Sequence, residues 1–186
     1  FDHCDHYSNI NDVLCSFKKF ASKSKKLLIN YDCTITRNNF TSNNQWSIKE
    51  INNIAYSVIP NVLNKNKTIG KYYEHGKFID MINIPVPGLH NLSNVTAAIA
   101  ACRMVGLSFK EIKKNLESLQ LPKKRFEFRG KLNQRIIYDD YAHHPNEIKA
   151  TIDLARLFIK DKNDSDEYQK GRLIAIFQPH RFTRVK

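Results

Sequence analysis

An α/β fold in two consecutive units is predicted by three features of the sequence. Short β-prone pieces fill residues 46–84 and give way to two helical patterns, 94–105 and 108–119. Pro122 and the two lysines that follow break this run. Beyond the break the order becomes strand, helix, strand, the pattern that builds parallel strands through a right-handed crossover. The 186 residues suffice for one sizeable domain or two small ones. Hydrophobic residues at 41% and charged residues at 26% exclude a disordered chain. No apolar run reaches the roughly 18 residues that span a bilayer, so membrane insertion is not expected.

Each element has a local reason. Residues 8–23 carry Ile10, Val13, Leu14, Phe17 and Phe20, the stripe of an amphipathic helix, with Ser8 as N-cap. Residues 26–30 read as a short apolar strand and 31–44 as loop. Residues 68–74 and 78–84 flank His75-Gly76-Lys77, a hairpin signal. Residues 85–88 end the β pattern. The small-residue helix 94–105 stops at Gly106, and Ser108 with Glu111 forms a capping box for the next helix. Its stripe is Phe109, Ile112, Leu116 and Leu119. In the second unit 135–139 is a strand and Pro145 opens a helix with Ile148, Ile152, Ala155 and Ile159 on one side. Residues 173–177 read as a buried strand. Phe1 is not followed by a charged-then-apolar leader, and both ends fall beside polar motifs, so the chain reads as a piece of a longer protein.

The net charge is +12, from 30 Lys and Arg against 18 Asp and Glu. An anionic partner would explain it; so would a composition rich in Lys, Asn and Ile, with lysines scattered through polar stretches. No basic helix or interleaved aromatic stripe favours the first reading, so nucleic acid is not expected as a partner. Cys4, Cys15, Cys33 and Cys102 lack C-x-x-C spacing and read as reduced thiols of a cytosolic protein.

Two polar clusters occupy equivalent places in the second unit. DDYAHHP (139–145) follows one strand and QPHRFTR (178–184) follows the next. Ligands of open α/β sheets bind beyond the carboxyl ends of the strands, so both clusters face one rim. GLHNLSN (88–94) precedes a helix, where backbone N–H groups and Asn side chains can meet a ligand or simply cap the helix. KKRFE (123–127) lies at the junction, where Arg125 either reaches a phosphate or is a solvated linker charge. DHCDHY (2–7) is too dense for a complete zinc site but can supply one ligand.

In that order and at those intervals, GLHNLSNVTAAIA, KKRFE, DDYAHHPNEI and FQPHRFTR closely resemble the Mur ligase family, and the opening DHCDHY resembles its Asp-His-x-Asp-x-Tyr segment. The resemblance spans essentially the whole chain. It implies the second half of a P-loop-type α/β central ATP-binding domain, residues 1–122, and the start of a Rossmann-like C-terminal domain, residues 123–186. It further implies an ATP- and Mg2+-dependent bacterial cytoplasmic ligase of peptidoglycan precursor synthesis, joining L-alanine to UDP-N-acetylmuramate through an acyl phosphate. A sibling that attaches recycled tripeptide to the same sugar nucleotide shares a similar DD-aromatic-AHHP run but is not expected to carry FQPHRFTR. A non-catalytic nucleotide-binding module is the other alternative.

By resemblance His3 is the Mg2+ ligand and, with Arg125, catalytic. His90, Asn91 and Asn94 lie around the adenine, Arg125 reaches the ATP phosphates, and Asp140 meets the ribose. Tyr141, His143 and His144 line the cleft, while His180, Arg181 and Arg184 meet the incoming amino acid's carboxylate and neighbouring acidic groups. Phe182 stands where Tyr is common and Lys124 where a second Arg is common. No G-x-x-x-x-G-K-[ST] occurs, so residues 1–186 alone are expected not to turn over. The sequence specifies no oligomeric state.

Overall fold

In the computed structural model, which describes residues 6–159 and 171–179, the first helix is α1 (Ile10–Ala21). Its cap is Asn9 rather than Ser8: Asn9 Oδ1 accepts from the N–H of Asn11 and of Asp12. The expected apolar stripe is there but uncovered, with Phe17 58% and Phe20 69% exposed.

Five strands form one mixed sheet in chain order. They are β1 (Leu28–Asn30), β2 (Asn44–Ser47), β3 (Tyr56–Leu63), β4 (Thr68–Glu74) and β5 (Lys77–Ile84). The first three run parallel and the last three antiparallel. Between β1 and β2 the expected loop contains a short helix, α2 (Thr34–Asn39), which no apolar periodicity announces. Thr36 Oγ1 holds it to β1 by donating to the Asn30 carbonyl at 2.7 Å. The β4–β5 hairpin turns at His75 (φ 48°) and Gly76 (φ 80°), the pair of left-handed residues that matches strand twist.

The helix α3 (Leu89–Met104) lies on this sheet. It begins five residues before the expected start, because Gly88 adopts φ 106° and its carbonyl accepts from Leu92 N–H. Leu92, Val95, Ile99 and Ala100 then pack with Val58, Tyr72, Ile82 and Ile84 of the sheet. The 88–94 run is therefore the opening of a helix and not a loop before one. Gly106 follows its end at φ 98°, as expected. The next helix, α4 (Phe109–Leu116), has the expected Ser108–Glu111 capping box and buries Ile112 and Leu116.

The second unit holds a two-stranded antiparallel sheet, β6 (Glu127–Leu132) with β7 (Arg135–Asp139), followed by α5 (Pro145–Leu157). β6 was not anticipated. Residues 173–177 carry no strand, so among the described residues β7 has no parallel neighbour and the expected crossover is absent. That segment instead borders a cavity of ≈ 250 Å³ with Ile136, Tyr138, Ile148 and Ile152. Its apolar side chains stay largely open, Ile176 at 95%. Side-chain contact without a backbone ladder accounts for the failed reading. On its other side α5 docks on the first unit through Leu154, which is 1% exposed and faces Gly88. Burying a leucine there is worth about 1.5–3 kcal/mol.

Candidate functional site

Three runs far apart in sequence meet in one cavity of ≈ 450 Å³. From α3 come His90, Asn91 and Asn94; from the connection come Leu121, Pro122, Arg125 and Phe126; from β7's end and α5 come Asp140, Asn146 and Glu147. Helical spacing explains the first set, since positions three and four apart share a face. Asn91 is buried and its amide donates to the Pro87 carbonyl at 2.7 Å, holding the entry to α3.

The connection is a strained and tightly held piece of backbone. Lys124 (φ 59°) and Phe126 (φ 50°) both lie in the left-handed region, on either side of Arg125. Asp140 fixes this turn: its Oδ2 accepts from Phe126 N–H and its Oδ1 from Ala142 N–H, each at 2.8 Å. Tyr141 N–H donates to the Lys124 carbonyl at 2.8 Å, and Lys124 N–H to Glu127 Oε2 at 2.9 Å. Each Asp140 oxygen keeps a second lone pair for a ligand hydroxyl.

At the start of α5, His144 caps the helix with Nδ1 accepting from Asn146 N–H, and Glu147 completes a capping box. Glu147 Oε2 accepts from the N–H groups of His143 and His144. Burial pushes its carboxyl up, but those two bonds, the His143 ring and Arg125 outweigh it and hold the group below its ordinary value. His90 is shifted down, chiefly by burial; Asp140 opposes this and Arg125 adds to it, so the imidazole is neutral at pH 7.

Of the residues singled out in the sequence, His90, Asn91, Asn94, Arg125 and Asp140 are brought together. Tyr141, His143 and His144 sit beside the cavity without lining it; Tyr141 is exposed and the His143 ring lies 3.0 Å from the Tyr141 carbonyl. His3, His180, Arg181 and Arg184 lie outside the described residues. Glu147 and Asn146 were missed. The signal for Glu147 was its place two residues after Pro145, where a first-turn carboxylate caps a helix. Among the described residues no group of three or more His, Cys, Asp or Glu could hold a metal ion, and no helix is long and apolar enough to cross a membrane.

A mixed sheet with its helices, a two-stranded sheet with α5, and a braced turn with a polar cavity between them define a mixed α/β protein. Residues 1–102 match the family model described as Mur ligase middle domain, and residues 124–182 match Mur ligase, glutamate ligase domain. The chain belongs to the Mur ligase family. Over all 186 residues it is 86% identical to the UDP-N-acetylmuramate--L-alanine ligase of Prochlorococcus marinus subsp. pastoris, of which it covers 39%. A second Prochlorococcus marinus protein of the same name is 48% identical over 185 residues, 100% of this chain and 37% of its own length. The crystal structure of the Thermotoga maritima UDP-N-acetylmuramate-alanine ligase superposes with a TM-score of 0.71 at 21% identity, over 86% of this chain and 37% of that one. That likeness bears on the fold. The chain thus spans about two-fifths of the length of these relatives.

Proposed function

We propose that the protein carrying this chain joins L-alanine to UDP-N-acetylmuramate at the expense of ATP, in peptidoglycan precursor synthesis in the bacterial cytoplasm. The names of the relatives support the substrates. The observation that carries this chain's part is the convergence of His90, Asn91, Asn94, Arg125 and Asp140 on one cavity. The division into 1–122 and 123–186 belongs to the same reading, with the cavity at the joint.

In the reaction, a carboxylate oxygen of the sugar nucleotide attacks the γ-phosphorus of ATP and ADP leaves. The alanine amine then attacks the acyl carbon and phosphate leaves, with the amine's proton lost. Arg125 supplies planar donors to the phosphates, Asp140 accepts from ribose hydroxyls, and the neutral His90 with Asn91 and Asn94 surrounds the base. Tyr141, His143 and His144 form the cleft shoulder, and His180, Arg181 and Arg184 meet the amino-acid carboxylate. Mg2+ accompanies ATP in this reading, with His3 as the ligand this chain offers. The described residues hold no cluster that fits the ion, so no step is routed through it.

The test is to place residues 1–186 in the corresponding stretch of the 86%-identical relative. Phosphate release should depend on ATP, UDP-N-acetylmuramate and L-alanine together, and Asp140→Ala should raise KM for ATP. Release that does not depend on alanine would overturn the reading.

A further inference from the structure

Glu147 stands in the wall of the cavity, and its two carboxylate oxygens have different duties. Oε2 is taken by the helix it caps, accepting from His143 N–H at 3.1 Å and His144 N–H at 3.3 Å. That half of the group is fixed. Oε1 faces Arg125 Nη1 at 3.7 Å, an ion pair too long for a hydrogen bond. It therefore draws the guanidinium toward one place while leaving its donors for another anion. The backbone on both sides of Arg125 is already pinned by Asp140 and by the Tyr141-to-Lys124 bond, whereas the Arg125 side chain is 49% exposed and needs a partner to select its orientation.

We propose that Glu147 is a positioning residue for Arg125, holding its guanidinium at the cavity for the polyphosphate of a nucleotide. The inference rests on reading the cavity as the ATP site. It has a sign that distinguishes it from a simple charge effect. A carboxylate beside a polyphosphate repels it, so removing the charge should tighten ATP binding if repulsion were all that mattered. Positioning predicts weaker use of ATP.

The experiment uses the relative carrying residues 1–186, with Glu147→Gln, Glu147→Ala, Arg125→Ala and the Gln/Ala double variant. Gln keeps an acceptor for the two backbone N–H groups and loses the charge that faces Arg125. KM for ATP should rise about two- to fivefold in Glu147→Gln, the scale of a half-exposed ion pair, with KM for alanine unchanged and only a small fall in melting temperature, since the amide oxygen keeps the cap without its charge. Glu147→Ala should lose more melting temperature than Glu147→Gln, because the cap is gone altogether. Adding Glu147→Gln to Arg125→Ala should raise KM for ATP no further, since Glu147 acts through Arg125. An unchanged or lower KM in Glu147→Gln, or effects that multiply in the double variant, would overturn the proposal. An unsubstituted protein without ATP-dependent ligation would overturn it together with the proposed function; activity there with an indifferent Glu147→Gln overturns the positioning role alone.

Discussion

Asp140→Asn separates a ligand-binding carboxylate from a structural one. The side chain keeps its shape but has one acceptor where Asp140 has two, and both are used: Phe126 N–H on Oδ2 and Ala142 N–H on Oδ1, each at 2.8 Å. Whichever way the amide is turned, one N–H faces an NH2 group. A hydrogen bond to a charged acceptor is worth about 1.5–3 kcal/mol, and the half-buried position favours the lower half of that range. Local opening at the affected amide should become roughly ten- to thirtyfold more frequent. Hydrogen exchange followed at residues 124–143 reads this directly. One of the two amides should lose protection in Asp140→Asn and both in Asp140→Ala. Intact protection of both amides in the Asn variant would refute the bracing role and leave Asp140 to the ligand alone.

Three other outcomes follow from the same contacts. His90 has a folded pKa below its ordinary 6.5, so the unfolded chain takes the proton first; stability present above pH 6.5 should be lost as pH falls through the folded value. His90→Gln should flatten the urea midpoint between pH 7.5 and 5, a window above the one where Glu74 and Glu147, both held below 4.5, protonate; an identical slope would count against it. Tyr72, fully buried, donates to Glu74 at 2.7 Å while Arg103 grips the same carboxylate at 2.6 and 3.0 Å. Tyr72→Phe should cost about 1 kcal/mol and Arg103→Met about 2–3, because the second strands a charge whose side chain is 17% exposed; equal losses in urea unfolding would refute the ranking. Leu154→Ala, which empties the contact of α5 with Gly88, should cost about 2–4 kcal/mol and raise KM for ATP, measured by unfolding and kinetics on the same protein.

Elements with a local chemical signature were legible, and those made by context were not. The β4–β5 turn announced itself through Gly76, but the β6–β7 turn uses Asn133 (φ 46°) and Gln134 (φ 65°), and a Gln in the left-handed region gives no warning. β6 stayed hidden for the same reason, with a register shift at Gly130 that breaks its alternation. Asn94 looked like a cap because Asn prefers caps; Gly88 took the role because its φ of 106° suits few other residues. His90, Asn91, Asn94, Arg125 and Asp140, named through their motifs, share one cavity, whereas Glu147 went unread because its nearness to Arg125 exists only in space.

If the cavity takes the nucleotide as proposed, the joint ties nucleotide binding to backbone strain. Two left-handed residues, Lys124 and Phe126, each cost about 1–2 kcal/mol, and the groups that hold them are Asp140, Glu127 and the Tyr141 N–H. Asp140 and Arg125 are also the groups proposed to meet the nucleotide. A ligand at one hundred times its Kd stabilises the state it binds by about 2.7 kcal/mol, the same size as the strain it leans on. Nucleotide occupancy and closure of the turn are then one linked equilibrium. Exchange protection at Phe126 should rise when ATP is added, and a nucleotide that leaves this amide unchanged would be bound without engaging Asp140.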